Sequence, residues 1–149
     1  MDYDTVVVGA GPGGSTTARF AARNGARTLL LEKREEIGVP VRCGEGIAPR
    51  WLEMVGVPLE GDWIANRVRG AKIYSPNGNS LTIEDDNLGT EVGMVIHRDK
   101  LDQFLAKLAE DDGAEVRTGV TVMDLLWNGE DVCGVKIRDS NGKESEITC

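Results

Sequence analysis

The stretch Thr5-Val6-Val7-Val8-Gly9-Ala10-Gly11-Pro12-Gly13-Gly14 decides the fold of this chain. Its first four residues form a β-branched run, the mark of a strand buried on both faces. A glycine-rich turn follows at once. Residues 15–24 then read as a helix with Ala18, Ala21 and Ala22 on one side, and Gly25 as its stop. Thr28-Leu29-Leu30-Leu31 is a second buried strand, closed by Glu32. Strand, helix and strand within about 30 residues make a βαβ unit with a parallel pair.

Gly9-x-Gly11-x-x-Gly14 is a weak signal alone, but here it follows a buried strand, opens a helix and is answered by an acid on the next strand. Glu32 stands 18 residues beyond Gly14 (32 − 14), close to the spacing of about 20 expected of a dinucleotide fingerprint. Each residue type has a reason. Gly9 permits the tight turn, Gly11 lets a pyrophosphate approach the backbone, and Gly14 allows close helix–strand packing. Pro12 suits a first helical turn, where a missing N–H costs nothing. The phosphates would sit at the positive end of the helix dipole. Glu32 would accept hydrogen bonds from the adenosine ribose hydroxyls, and its charge disfavours the 2′-phosphate of NADP. The competing reading is a glycine-rich turn in an unrelated α/β protein. The fingerprint by itself does not separate FAD from NAD.

Outward from this unit the chain changes character. Residues 33–70 read as irregular, broken by Pro40, Pro49 and Pro58, with a short helix at residues 51–55. Residues 71–75 and 80–83 flank Pro76-Asn77-Gly78-Asn79, a hairpin signal. Residues 92–97 read as a strand. Leu101, Phe104, Leu105 and Leu108 then mark one buried helical face over residues 100–111, with Asp99 as N-cap and Gly113 as stop. Residues 120–127, 132–138 and 144–149 form a meander, turned at Asn128-Gly129-Glu130-Asp131 and at residues 139–143. The last strand has no cap or polar tail, so the chain reads as cut within it.

The chain has 149 residues, 40% of them hydrophobic, and a formal charge of −8 from 17 basic and 25 acidic side chains. That size fits one domain or part of a larger one. The acidic balance argues against a nucleic-acid partner, which needs a basic face. No apolar run approaches the roughly 18 residues of a transmembrane helix, and Met1-Asp2-Tyr3-Asp4 lacks the basic start of a signal peptide. Cys43, Cys133 and Cys149 form no close pair and no metal-like cluster, so no metal site and a reducing, cytoplasmic setting are expected. The acidic run Glu84-Asp85-Asp86 has no metal-loop spacing.

Residues 3–32 resemble the FAD-binding start of flavoproteins of the glutathione-reductase and p-hydroxybenzoate-hydroxylase type, whose second crossover is a three-stranded meander. Ile37-Gly38-Val39-Pro40-Val41-Arg42-Cys43-Gly44-Glu45-Gly46 and Glu91-Val92-Gly93-Met94-Val95-Ile96-His97-Arg98-Asp99-Lys100-Leu101-Asp102 narrow the likeness. Both are similar to the geranylgeranyl reductase family, in particular its archaeal members, which saturate prenyl chains of membrane lipids using FAD. The resemblance covers essentially the whole chain and corresponds to the first third or so of a family protein. It implies an α/β fold: a Rossmann-like FAD-binding βαβ unit and cofactor loop over residues 1–70, an antiparallel β insertion beginning a substrate domain over 71–97, and a return to the FAD-binding domain over 98–149, as a helix and a truncated β-meander. Gly13 and Gly14 match the phosphate loop, Glu32 the ribose-binding acid, and Arg42, Cys43, Gly44 and Gly46 the loop laid along the flavin. Arg98 matches an arginine that contacts the cofactor, and Val122 a position whose backbone meets the adenine. His97 departs from the family pattern.

The implied function is FAD-dependent reduction of isoprenoid C=C bonds. The implied partners are a prenylated lipid and an electron donor (NAD(P)H, ferredoxin or a reduced flavin), with peripheral contact at the inner face of the membrane. Two rivals stand beside it: an aromatic hydroxylase on the same flavin scaffold, and an NAD-binding domain without flavin chemistry. Cys43 is the one catalytic candidate. A neighbouring cation, Arg42, would lower its thiol pKa, but a cysteine is also small enough to pack in a tight loop. Trp51, Trp63 and Trp127 read as packing residues.

Overall fold

The computed structural model describes residues 1–84 and 93–149. Asp85 and Asp86 of the acidic run, and Glu91 and Val92 of the second family segment, lie outside the described residues. In chain order the elements are β1 (Thr5–Val8), α1 (Pro12–Arg23), β2 (Thr28–Leu31), β3 (Gly46–Ile47), α2 (Pro49–Met54), β4 (Ile64–Arg67), β5 (Gly70–Tyr74), β6 (Ser80–Glu84), β7 (Met94–Ile96), α3 (Arg98–Asp111), β8 (Glu115–Arg117), β9 (Thr121–Asn128), β10 (Asp131–Arg138) and β11 (Glu144–Thr148). They form two compact units, Met1–Val41 with Asp102–Cys149, and Arg42–Leu101.

The first unit holds a parallel sheet in the order β1-β2-β8 and an antiparallel meander in the order β11-β10-β9. Strand alternation explains how the two are joined. Leu30 points to one face, into a cluster with Ala10, Ala18, Ala109 and Ala114. Leu29 and Leu31 point to the other, against Val135, Ile137 and Ile147 of the meander. The sheet is thus sandwiched between helices and meander, and burying each leucine contributes roughly 1.5–3 kcal/mol. Small alanines let α1 sit close to the sheet. Arg19 of α1 pairs with Asp112 just beyond α3, N to O at 2.8 Å.

The α/β architecture with antiparallel sheets is as expected, but three details differ. The central strand β2 is buried on both faces; β1 is only half-buried, and its last residue, Val8, is 58% exposed. The cause is position, since β1 is an edge of its sheet and Val8 borders a cleft. Helix α1 begins at Pro12, ahead of the apolar periodicity, because the glycines after it are themselves helical. Residues 33–70 are not all irregular: β3 and β4 pair on either side of β7 in the second unit. Two- and four-residue strands carry no period to read. The hairpin β5–β6 pairs Tyr74 with Ser80 around the expected turn.

Of the three tryptophans only Trp63 is core, at 1% exposure, whereas Trp51 and Trp127 are more than half exposed. Among the described residues no helix is long and apolar enough to cross a membrane.

Candidate functional site

In the first unit the site is built on the turn from β1 into α1. Gly9 has a φ of +97°, a conformation L side chains rarely adopt, and its N–H donates to the Leu31 carbonyl at 2.7 Å. The next amide, Ala10 N–H, donates to Oε2 of Glu32 at 3.0 Å. The other carboxylate oxygen, Oε1, accepts Arg34 N–H at 3.0 Å. Glu32 is 9% exposed and so is buried with its charge answered by two backbone donors. Each oxygen keeps a further acceptor direction. The buried Ser15 hydroxyl donates to the Ala10 carbonyl at 3.3 Å, closing the turn from the helix side.

Helix α1 starts without the usual caps. Gly11 at the N-cap has no side-chain acceptor, and the first turn has no acid. The first intrahelical bond runs from Ser15 N–H to Gly11 O at 2.9 Å. The amides of Gly13 and Gly14 precede it and point out of the helix end. A Cβ on Gly11 or Gly13 would meet nothing within 4 Å. A Cβ on Gly14 would lie 1.8 Å from the Gly9 carbonyl oxygen. One glycine is therefore required by packing, and two leave backbone open to a ligand. An uncapped helix end beside open glycines suits a diphosphate.

Next to it lies a cavity of about 520 Å³ lined by Val8, Gly9, Leu31, Glu32, Lys33, Arg34, Val120, Thr121 and Val122. Gly9, Glu32 and Val122, chosen separately in the sequence, meet on this one cavity. Its lining combines apolar Val8, Leu31, Val120 and Val122 with a single acid, Glu32, and two cations, Lys33 and Arg34. Lys33, Arg34, Val120 and Thr121 escaped the sequence reading. Adjacency to Glu32 was the available signal for the first two; strand pairing alone reveals the others.

In the second unit, Arg42, Cys43, Gly44 and Gly46 form an exposed loop running into β3. Cys43 and Arg98 come together here. The thiol pKa is lowered, first by the N–H of Glu45, which donates to Sγ at 3.4 Å, and then by the Arg98 guanidinium. The sequence expectation assigned that influence to Arg42. The structure assigns it to Arg98, 55 positions along the chain (98 − 43), brought in by the fold.

Glu45 was also missed as a functional residue. It holds a φ of +58°, and its Oε1 accepts the Arg98 N–H at 3.1 Å. Leu101 N–H bonds the His97 carbonyl at 2.9 Å, which places the N-cap of α3 at His97 and not at Asp99. A carboxylate reaching in from another loop caps the helix in place of the local acid.

With this geometry in view, the likeness to known proteins is informative. A digeranylgeranylglycerophospholipid reductase from Picrophilus torridus is 44% identical over 142 residues, covering 95% of this chain and 36% of that protein. A solved geranylgeranyl bacteriochlorophyll reductase-like protein from Thermoplasma acidophilum superposes with a TM-score of 0.92 at 42% identity, covering 99% of this chain and 37% of that one. The myxobacterial chondrochloren halogenase, an FAD-dependent halogenase, follows at a TM-score of 0.85 and 27% identity, covering 99% and 35%. The chain thus spans little more than a third of the length of the relatives it resembles. The choice between FAD and NAD, left open by the glycine fingerprint, closes in favour of FAD. With its match running over residues 2–149, this chain belongs to the FAD-binding domain family.

Proposed function

We propose that this chain is the FAD-binding part of a reductase that saturates C=C bonds in the geranylgeranyl chains of membrane lipids. The observation that carries the reading is the 44% identity over 95% of the chain to a protein named for that activity. The Cys43 loop supports it, because a hydroxylase on the same scaffold has no evident use for a thiol set against Arg98.

FAD, when bound, supplies the hydride chemistry, and the protein supplies position and electrostatics. In this reading the backbone at Gly9, Gly11, Gly13 and Gly14 receives the diphosphate. Glu32, already fixed by Ala10 and Arg34, accepts from the ribose hydroxyls, and the Val122 backbone meets the adenine. Arg42, Cys43, Gly44 and Gly46 lie along the flavin, and Arg98 contacts it. Residues 71–97 begin the substrate side. Cys43 packs against the cofactor and substrate and does not attack them, since no second cysteine lies near it in sequence to resolve a disulfide. The substrate is a prenylated lipid met at the inner face of the membrane, and an electron donor (NAD(P)H, ferredoxin or a reduced flavin) restores the cofactor.

The test is an absorption spectrum of the purified intact protein, followed by reduction and anaerobic mixing with unsaturated prenyl lipids. The expected result is a flavin band that reappears as the lipid is saturated. Reoxidation only by oxygen, coupled to hydroxylation of an aromatic substrate, would replace this reading with the hydroxylase one.

A further inference from the structure

Three bonds converge on Glu45. Its carboxylate accepts the Arg98 N–H at 3.1 Å, at the first residue of α3. Its carbonyl accepts the Ile96 N–H at 2.9 Å, at the end of β7. Its own N–H donates to Cys43 Sγ at 3.4 Å. All four residues belong to the unit Arg42–Leu101. Side-chain packing does little to hold the loop at the flanking positions: a Cβ on Gly44 or Gly46 would meet nothing within 4 Å, and Cys43 is exposed. Yet Glu45, between those glycines, takes the left-handed conformation that glycine would adopt more easily. A glycine there would have no carboxylate to reach α3.

We propose that Glu45 is a positioning residue: by clamping the loop to the end of β7 and the first turn of α3, it fixes the Cys43 thiol beside Arg98. The Glu45 carboxylate has two opposed effects on that thiol. As a nearby negative charge it disfavours the thiolate. As a clamp it keeps the two groups that favour the thiolate, its own amide and Arg98, in place. The two roles predict opposite outcomes when length and charge are varied separately. Glu45→Asp keeps the charge but shortens the reach, and aspartate tolerates the left-handed region well. Glu45→Gln keeps the reach and an acceptor oxygen but removes the charge.

The measurement is the pH dependence of iodoacetamide alkylation at Cys43, followed by mass spectrometry of its peptide in the FAD-loaded intact protein. Glu45→Asp should shift the alkylation midpoint upward and slow alkylation near neutral pH by about threefold to tenfold. Glu45→Gln should stay within about twofold of the unaltered protein, or react faster. A normal profile in Glu45→Asp, or a slowed one in Glu45→Gln, would overturn the proposal and reduce Glu45 to a neighbouring charge. The bearing of this clamp on turnover rests on the proposed flavin loop. Alkylation is read without turnover, so a failed lipid assay would count against that function and leave the Glu45 result standing.

Discussion

Glu32 and Ala10 are joined by a buried hydrogen bond, Ala10 N–H to Oε2 at 3.0 Å, that ties the end of β2 to the turn before α1. The acid proposed to accept from the ribose hydroxyls is thereby also a strut of the turn between β1 and α1. Arg34 N–H occupies the other oxygen, so Glu32 ties Ala10 to Arg34, which lines the same cavity as Glu32.

Glu32→Ala should therefore weaken FAD binding and lower the melting temperature of the apoprotein together. Losing a charge-assisted bond costs roughly 1.5–3 kcal/mol, about ten- to a hundredfold in affinity. Glu36→Ala should do neither to a comparable extent, since Glu36 lines a different cleft and its carboxylate receives Gln103 Nε2 at 3.3 Å. FAD titration and thermal melts of both variants check this; equal affinities would remove Glu32 from the site.

Gly14→Ala should prevent flavin incorporation, because its single methyl would sit 1.8 Å from the Gly9 carbonyl oxygen and must push α1 off β1. Overpacking of this kind costs roughly 1–3 kcal/mol or more. Gly13→Ala has open space and should leave the apoprotein melting temperature within a few degrees. Its effect, if the diphosphate lies against that backbone, falls on FAD affinity alone. A yellow, stoichiometrically flavinated Gly14→Ala protein would contradict the close packing.

Cys43→Ser should retain FAD and alter the rate of prenyl reduction without abolishing it, as the volume is nearly conserved and no covalent step falls to the sulfur. Cys43→Leu should reduce lipid more slowly still, since the added atoms intrude on cofactor or substrate. Flavin reduction and lipid saturation are measured separately. Normal flavin reduction with no saturated lipid at all in Cys43→Ser would make the thiol the acid that protonates the second alkene carbon.

The exposed pair Asp4–Arg27 gives a pH-dependent prediction. Arg27 Nη2 donates to Asp4 Oδ1 and Arg27 N–H to Oδ2, both at 2.8 Å, and these bonds hold the Asp4 pKa down at about 2. A carboxylate whose folded pKa is depressed stabilises the fold above its unfolded value, near 3.9, and loses that contribution as pH falls through the folded one. Asp4→Asn should thus melt slightly lower than the unaltered protein at pH 6. The gap should narrow from about pH 5 downward and vanish only near pH 1. Exposure to solvent keeps the gap small. A gap that persists unchanged at pH 3 would assign the effect to something other than this carboxylate.

The sequence by itself determined what depends on neighbours along the chain. The β-branched run, three glycines and an acid at the right distance establish a dinucleotide turn, because each residue type answers a local backbone or charge requirement. The amphipathic periodicity of α3 and the turn residues of the hairpin and meander were legible for the same reason. The close packing at Gly14 is legible in the sequence too, since absence of a side chain has few other uses there. Only the tertiary structure decided what depends on distant partners. It seated Arg98 and not Arg42 beside Cys43, placed the Glu45 carboxylate where Asp99 was expected to cap α3, and gathered Val120 and Thr121 around Glu32. It left Trp127 exposed while burying Trp63. Strands as short as β3 and β4 carry no period of their own; pairing with β7 creates them. Contacts between residues some fifty positions apart leave no trace in local composition, because their energy comes from a meeting that the whole fold arranges.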